Sequence, residues 1–188
     1  MSNAQKDSLG VRVSVKTGGC AGMSYVMEYT KEANPNVEIL ATRKTLPGFR
    51  ALEKEAVLHG GGQTHRMRLD DAILIKDNHL KLSKSIRESI SLSRTKYPDL
   101  MLEVEADNEE QALEIAECGA DRVMLDNFTP LDAAKTIKKL RQFSNIEIEI
   151  SGGVTIENVA EYAKNTDFIS LGSLTMSSLP VDFSLHVI

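Results

Sequence analysis

The sequence predicts an α/β fold: a barrel-like domain of about seven parallel strands, TIM-like or open on one side. Three observations carry that expectation. Short β-rich runs alternate with helical patterns along the chain. From Leu100 onward the strand runs begin at Leu100, Arg122, Ile146 and Phe168, which are 22, 24 and 22 residues apart. That is the repeat of a strand–helix unit whose crossovers leave the strands parallel. Finally, Lys44, Lys76, Glu105, Asp126 and Ser151 each fall at or just past the end of a strand run, where parallel α/β folds place their sites.

The expected strands are Val11–Lys16, Val37–Ala41, Ala72–Lys76, Leu100–Glu105, Arg122–Asp126, Ile146–Ile150 and Phe168–Leu171. Helices fill the gaps. Pro47 opens one that runs to about Leu58. Another spans roughly Ser83–Thr95 and stops before Pro98. A third covers Glu109–Cys118, with Asn108 as cap and Gly119 as stop, since Asn accepts the free amides of a first turn and Gly tolerates the left-handed exit. Thr129-Pro130 starts a fourth, with Ala133, Ala134, Ile137 and Leu140 on one face. Thr155 begins the last, with Ile156, Val159, Ala160 and Ala163 at core spacing. Two strands alternate acid with hydrophobe: Glu103 and Glu105, then Glu147 and Glu149. These glutamates either face water or, because both faces of a parallel sheet are usually covered, point inward and need cations. The inward orientation is expected, with Arg43, Lys44 and Lys76 as partners.

Composition excludes several classes. The chain has 188 residues, 41% hydrophobic and 26% charged, with a net charge of -5, which fits one soluble globular core. An acidic balance argues against general nucleic-acid binding. No apolar run approaches the ~20 residues of a membrane span, and no basic region followed by an apolar stretch opens the chain, so a cytoplasmic protein is expected. Two cysteines, Cys20 and Cys118, do not make a disulfide framework. Against the negative background, Arg43 to His79 holds seven Lys/Arg, five Asp/Glu and three of the four histidines. Cations beside the glycines Gly48 and Gly60-Gly61-Gly62 suggest an anion site that brings phosphate or carboxylate close to backbone.

The motifs in order are Thr42-Arg43-Lys44-Thr45-x-Pro47-Gly48; Gly60-Gly61-Gly62-x-x-His65-Arg66; Leu74-Ile75-Lys76-Asp77-Asn78-His79; Glu103-Val104-Glu105; Met124-Leu125-Asp126-Asn127; Ser151-Gly152-Gly153; and Leu171-Gly172-x-Leu174-Thr175. Together, over roughly Asn34 to Ile188, they resemble the quinolinate phosphoribosyltransferase family, also called nicotinate-nucleotide pyrophosphorylase (carboxylating). The resemblance implies transfer of phosphoribosyl from phosphoribosyl pyrophosphate to quinolinate with decarboxylation, on the de novo route to NAD. It implies Lys44, Lys76, Glu105 and Asp126 as catalytic residues. It further implies substrate contacts from Arg43, Lys44, His65, Arg66, Lys76, Ser151, Gly152, Gly153 and Gly172, and magnesium on Glu105 and Asp126. Flat guanidinium donors suit a planar dicarboxylate and ammonium groups suit phosphates, which agrees with these roles. The family also implies a homodimer or higher homo-oligomer, with no nucleic-acid or membrane partner.

Three features depart from the family pattern. Its separate N-terminal domain has no room in this sequence. Met176 stands where the family often has a polar residue. Residues 1–33 form a segment apart from the 34–188 domain, and the stretch around Gly18-Gly19-Cys20-Ala21-Gly22 resembles the front of an A-type iron–sulfur carrier; Met23 to Asn34 also aligns as a helix ahead of the Val37 strand. His59 and His186 are expected to be structural, and His79 to serve as a cap. The alternatives that stay open are a non-catalytic or partly active remnant, a molybdenum-locus paralogue with another substrate, and iron–sulfur carriage resting on Cys20.

Overall fold

A computed structural model describes residues 37–178 and 184–185, and the backbone of two further strands, β1 (Gly10–Thr17) and β2 (Met23–Thr30). Six strands make one sheet: β3 (Glu38–Ala41), β4 (Ile73–Ile75), β5 (Leu102–Ala106), β6 (Arg122–Asp126), β7 (Glu147–Ser151) and β8 (Phe168–Leu171). Their order is β3-β8-β7-β6-β5-β4, and every pairing is parallel. The α/β architecture therefore follows the sequence. Among the described residues β3 and β4 are the two edges of the sheet, and Gln63 adds a parallel bridge to Leu40 on the β3 side.

The first expected strand is corrected. Val11–Lys16 lies within β1, but β1 pairs antiparallel with β2, from Gly10↔Thr30 to Thr17↔Met23, and does not join the parallel sheet. The link from Thr17 to Met23 is far too short for the crossover a parallel neighbour needs, whereas a hairpin closes over such a distance. The same pairing makes Met23–Thr30 a strand, which overturns the helical alignment of that stretch. The A-type carrier resemblance centres on Cys20, outside the described residues.

The helices follow the sequence signals. α3 (Ile86–Lys96) is capped by Ser85, whose hydroxyl accepts from the Glu88 amide at 3.1 Å. α4 (Glu109–Glu117) is capped by Asn108, accepting from Gln111 at 3.0 Å, and leaves through Gly119 at φ 82°. Thr129 caps α5 (Pro130–Leu140) with proline at its first position. Other boundaries move. Pro47 and Gly48 form a turn, Gly48 at φ 81°, and α1 starts only at Arg50 and ends at His59. Asn158 accepts from the Thr155 amide at 2.7 Å, which holds Thr155–Asn158 as a turn and confines α6 to Val159–Tyr162. Short helices α2 (Asp77–Leu82) and α7 (Ser173–Met176) lie too close to strand ends for periodicity to show them.

Register sorts the sheet into two chemical faces. Leu102, Val104, Ala106, Val123, Leu125, Ile148, Ile150, Ile169 and Leu171 share one face; all are buried and pack against Ala112, Ile115, Ala133, Ile137 and Leu140 of α4 and α5. Each fully buried Leu or Ile contributes about 1.5–3 kcal/mol of transfer free energy, so this layer holds the domain together. The alternate positions carry Glu103, Glu105, Arg122, Asp126, Glu149, Ser151 and Ser170. The concave side of the sheet is thus polar, and the chemistry is built there.

Candidate active site

At the C-terminal strand ends the charged side chains meet. Lys76, just past β4, sets its Nζ on Glu105 Oε1, while the Asp77 amide donates to Glu105 Oε2 at 3.3 Å. Asp126 closes β6 in register with Ser151 and accepts from Asn127 Nδ2 at 2.7 Å. Its carboxyl titrates above the usual range, first because it is desolvated and next because Glu105 repels its charge; Lys76 and Lys44 oppose that shift. Lys44 reaches the same rim from β3. Its carbonyl accepts from Thr175 Oγ1 at 2.6 Å, and its Cδ would lie 3.8 Å from a Cβ placed on Gly172. Gly152 lies at φ 81°, and a Cβ there would come within 2.3 Å of Asn127 Oδ1 and 2.7 Å of the Asn127 amide nitrogen. Only glycine permits this approach of the Ser151-Gly152-Gly153 turn to the Asp126-Asn127 turn.

Below this rim lies a buried charge cluster. Glu103 and Glu149 have no solvent exposure. His65 Nε2 lies 3.0 Å from Glu103 and 3.4 Å from Glu149. Arg122 Nη1 donates to Glu149 at 3.0 Å, and Ser170 Oγ donates to the other Glu149 oxygen. Arg122 also binds Glu147 at 2.7 Å and covers the Phe168 ring at 3.8 Å. Burial alone would lower the His65 pKa, but hydrogen bonds to the two glutamates and their charge outweigh it and raise it to about 9. The Arg66 amide donates to His65 Nδ1 at 2.6 Å, a contact that favours the ring with its proton on Nε2 and opposes the pull of the carboxylates. Burial lifts the Glu103 carboxyl to about 7, whereas hydrogen bonding from His65 and Ser170, with the Arg122 charge, outweighs burial and holds Glu149 low.

The partners expected for the inward glutamates are therefore corrected. Lys76 does hold Glu105, but Glu103 and Glu149 take His65 and Arg122 in place of Arg43 and Lys44. The reason is register: Arg122 stands directly between Glu103 and Glu147 across the sheet. Glu147 stays at the exposed end of β7 and does not enter the interior. His65, Glu103 and Glu149 bring ligand atoms within 4.8 Å of one another, but Arg122 already supplies positive charge there, which disfavours a metal ion at that spot.

On the other flank stand Arg43, Arg50, Lys54 and Arg66. Their hydrogen bonds go largely to backbone carbonyls: Arg43 Nε and Arg50 Nη1 to Met67 at 3.3 and 3.4 Å, Arg66 Nη1 to Ala72 at 3.2 Å, and Lys54 Nζ to Thr64 and Arg66. The nearby Asp71 is occupied with the Met67 and Arg68 amides. Arg66 Nε is buried with no hydrogen-bond partner among the described residues. Burial, then repulsion from Arg50, Arg43 and Arg66, lowers the Lys54 pKa to about 8. Four cations gather here, with Asp71, Glu103 and Glu149 as nearby acids, and such a concentration of positive charge is chemistry suited to an anion.

Lys44, Lys76, Glu105, Asp126, Ser151, Gly152 and Gly172 thus gather at one rim, and His65 and Arg66 enter from the loop before β4. Arg50, Lys54, Glu103, Arg122 and Glu149 complete the surroundings without having been assigned from sequence. Lys54 left one signal: it is a charge on the inward side of α1, three residues from Val57. His79 behaves as expected, its Nδ1 accepting the Lys76 amide at 2.9 Å. His59 is exposed beside Glu55, and His186 lies outside the described residues. Cys118 ends α4, partly buried.

An open parallel barrel with a cation-lined cup facing two carboxylates at its strand ends defines a phosphoribosyl-transferase-like α/β domain. The chain belongs to the quinolinate phosphoribosyl transferase family, whose C-terminal domain matches residues 21–186. It is 41% identical over 187 residues to a probable nicotinate-nucleotide pyrophosphorylase [carboxylating] of Archaeoglobus fulgidus, covering 97% of this chain and 72% of that protein. It is 39% identical to the nicotinate-nucleotide pyrophosphorylase [carboxylating] of Rattus norvegicus, covering 95% of this chain and 62% of the relative. NadC from Streptococcus pyogenes superposes with a TM-score of 0.75 at 36% identity, over 80% of this chain and 53% of that one. The chain thus spans 72%, 62% and 53% of the length of these three proteins.

Proposed function

We propose that the cup transfers phosphoribosyl from phosphoribosyl pyrophosphate to quinolinate, releasing pyrophosphate and carbon dioxide and leaving nicotinate mononucleotide. The observation that carries this reading is the division of charge around one rim. Arg43 and Arg66 stand on one flank with their hydrogen bonds spent on backbone carbonyls, and Lys44 and Lys76 stand on the other beside Glu105 and Asp126. Guanidinium forks match the two carboxylates of a planar pyridine dicarboxylate. Ammonium groups match a departing pyrophosphate. The backbone of Gly152, Gly153 and Gly172 suits the sugar's 5'-phosphate, since no Cβ screens the amides there.

Glu105 and Asp126 are the pair suited to magnesium. Burial and, after it, the charge of Glu105 already raise the Asp126 carboxyl, and a divalent cation would relieve that repulsion. Bound there, magnesium would neutralise charge on the pyrophosphate. The residues of the chain do the rest by placement. As the pyridine nitrogen bonds to the ribose carbon and the pyrophosphate oxygen leaves, positive charge grows on the sugar, where Glu105 and Asp126 oppose it. The ring nitrogen, now positive, stabilises the electron pair left on the adjacent carbon when its carboxylate departs as carbon dioxide, and a proton from solvent then takes that position. No covalent enzyme intermediate is needed.

A second copy of the chain is part of the proposal. Leu46, Phe49, Leu52 and Leu58 expose 61, 55, 61 and 48% of their surface on and beside α1, next to the cup, which supports a protein partner there. No helix among the described residues is long and apolar enough to cross a membrane, and small anionic substrates fit a cytoplasmic place. The domain proper is taken to begin near residue 34. The test supplies quinolinate labelled in the carboxylate beside the ring nitrogen, with phosphoribosyl pyrophosphate and magnesium. One labelled carbon dioxide per pyrophosphate is expected; a folded chain that releases neither refutes the activity.

A further inference from the structure

Lys54 is the one lysine buried to 1% exposure among the described residues. Burying an ammonium without a carboxylate partner is costly, and the charges facing Lys54 are chiefly those of Arg50, Arg43 and Arg66, opposed by Asp71. Its Nζ donates to two carbonyls, those of Thr64 and Arg66, reaching the latter at 2.5 Å. Those carbonyls flank His65. His65 itself sits at φ 44°, in the left-handed region that only a few per cent of non-glycine residues adopt. From that conformation its ring reaches Glu103 and Glu149, and the Arg66 guanidinium turns toward the Ala72 carbonyl.

These contacts fit together in one way. The Thr64–His65 and Arg66–Met67 peptide units are pinned by a single ammonium, so the turn that carries His65 is held on both sides from α1. We propose that Lys54 is a positioning residue: it fixes the Thr64–Arg66 turn so that His65 and Arg66 are presented together to the carboxylates of the acceptor. The assignment rests on the proposed quinolinate site. It gives Lys54 no contact with substrate and no part in the phosphoribosyl end, where Lys44 and Lys76 stand. The low pKa is a consequence of this placement, since a group serving two carbonyls among three guanidinium ions must give up its solvation.

Calorimetry with quinolinate and, separately, with phosphoribosyl pyrophosphate plus magnesium tests the split on the full chain. Lys54→Met keeps the apolar stem and removes the donors. A displaced pair of recognition groups commonly costs about a hundredfold, so quinolinate affinity should fall by roughly that factor while donor affinity stays within about twofold. Lys54→Gln keeps N–H donors and should recover part of the loss. In a His65→Ala background the Lys54→Met change should cost much less, because the two act through one another. Equal weakening of both ligands, a Gln variant no better than Met, or additive losses would overturn the assignment. If the unsubstituted chain binds no quinolinate, the functional reading fails, and the positioning role is decided by amide exchange: Lys54→Met then speeds exchange at His65–Met67 relative to the sheet, or the role is rejected. Should the Met variant not fold, Lys54→Gln carries the same measurements.

Discussion

Arg122→Met puts the buried charge cluster to a quantitative test. The guanidinium makes three kinds of contact, and their sizes differ. Its pair with Glu147 is rim-exposed, with 49% of the glutamate side chain in solvent, and is worth about 0.5 kcal/mol. Its stacking on Phe168 at 3.8 Å adds about 1 kcal/mol. Its bond to Glu149, which has no exposure, decides the outcome: removing one partner of a buried pair costs about 3–5 kcal/mol, because the other charge stays buried and unpaired. Arg122 keeps 11% of its side chain exposed and His65 remains as a second partner of Glu149, so the lower end of that range applies and the three contributions total about 4–5 kcal/mol. Urea unfolding monitored by circular dichroism reads this as a lower midpoint with unchanged slope. Arg122→Met/Glu149→Gln should be more stable than Arg122→Met alone, since the orphaned charge is gone. A loss under about 1 kcal/mol in the single variant, or no recovery in the double, would refute the claim that this cluster is a dry, mutually dependent unit.

Other outcomes follow from the same geometry. Gly152→Ala should cost about 3 kcal/mol or more, because a left-handed alanine is combined with overlap on the Asn127 backbone, whereas Gly153→Ala, at φ 64° with open space around its Cβ, should cost only about 1–2 kcal/mol; equal losses in thermal or urea unfolding would contradict the close approach. His65 has its folded pKa raised from 6.5 to about 9. Its charge-dependent stabilisation is therefore complete below pH 6.5 and is lost as the pH rises through 9. The stability difference between the native chain and His65→Gln should shrink across that window, and a flat difference would mean that His65 is not charged in the cluster. Lys44→Ala or Lys76→Ala should lower turnover on the order of a hundredfold and weaken phosphoribosyl pyrophosphate more than quinolinate; unchanged donor affinity would remove both from the pyrophosphate end.

Much of this architecture was legible in the sequence, and the exceptions have physical causes. The six strands of the sheet and the caps Asn108 and Thr129 follow from local pattern, because β-branched runs and amide acceptors act over a few residues. The rim residues Lys44, Lys76, Glu105, Asp126 and Ser151 were legible because strand ends are where a parallel sheet exposes its chemistry. The true partners of Glu103 and Glu149 were not. Arg122 is a strand-start arginine that reads as solvated, and only the register of three adjacent strands sets it between acids. Lys54 showed only its place on the inward side of α1, because its partners are carbonyls, which leave no mark in a sequence. Val11–Lys16 read correctly as a strand and wrongly as part of the barrel, since alternation specifies extended backbone without specifying its neighbour.

The central claim is that one cup holds both substrates, the pyridine dicarboxylate on the guanidinium side and the sugar donor on the lysine–carboxylate side. A crystal structure of the chain soaked with quinolinate, phosphoribosyl pyrophosphate and magnesium tests it directly. The account predicts the pyridine between Arg43 and Arg66 beside His65, and the pyrophosphate against Lys44 and Lys76 with a metal on Glu105 and Asp126. Density for either ligand on another surface, with the cup left empty, would contradict it.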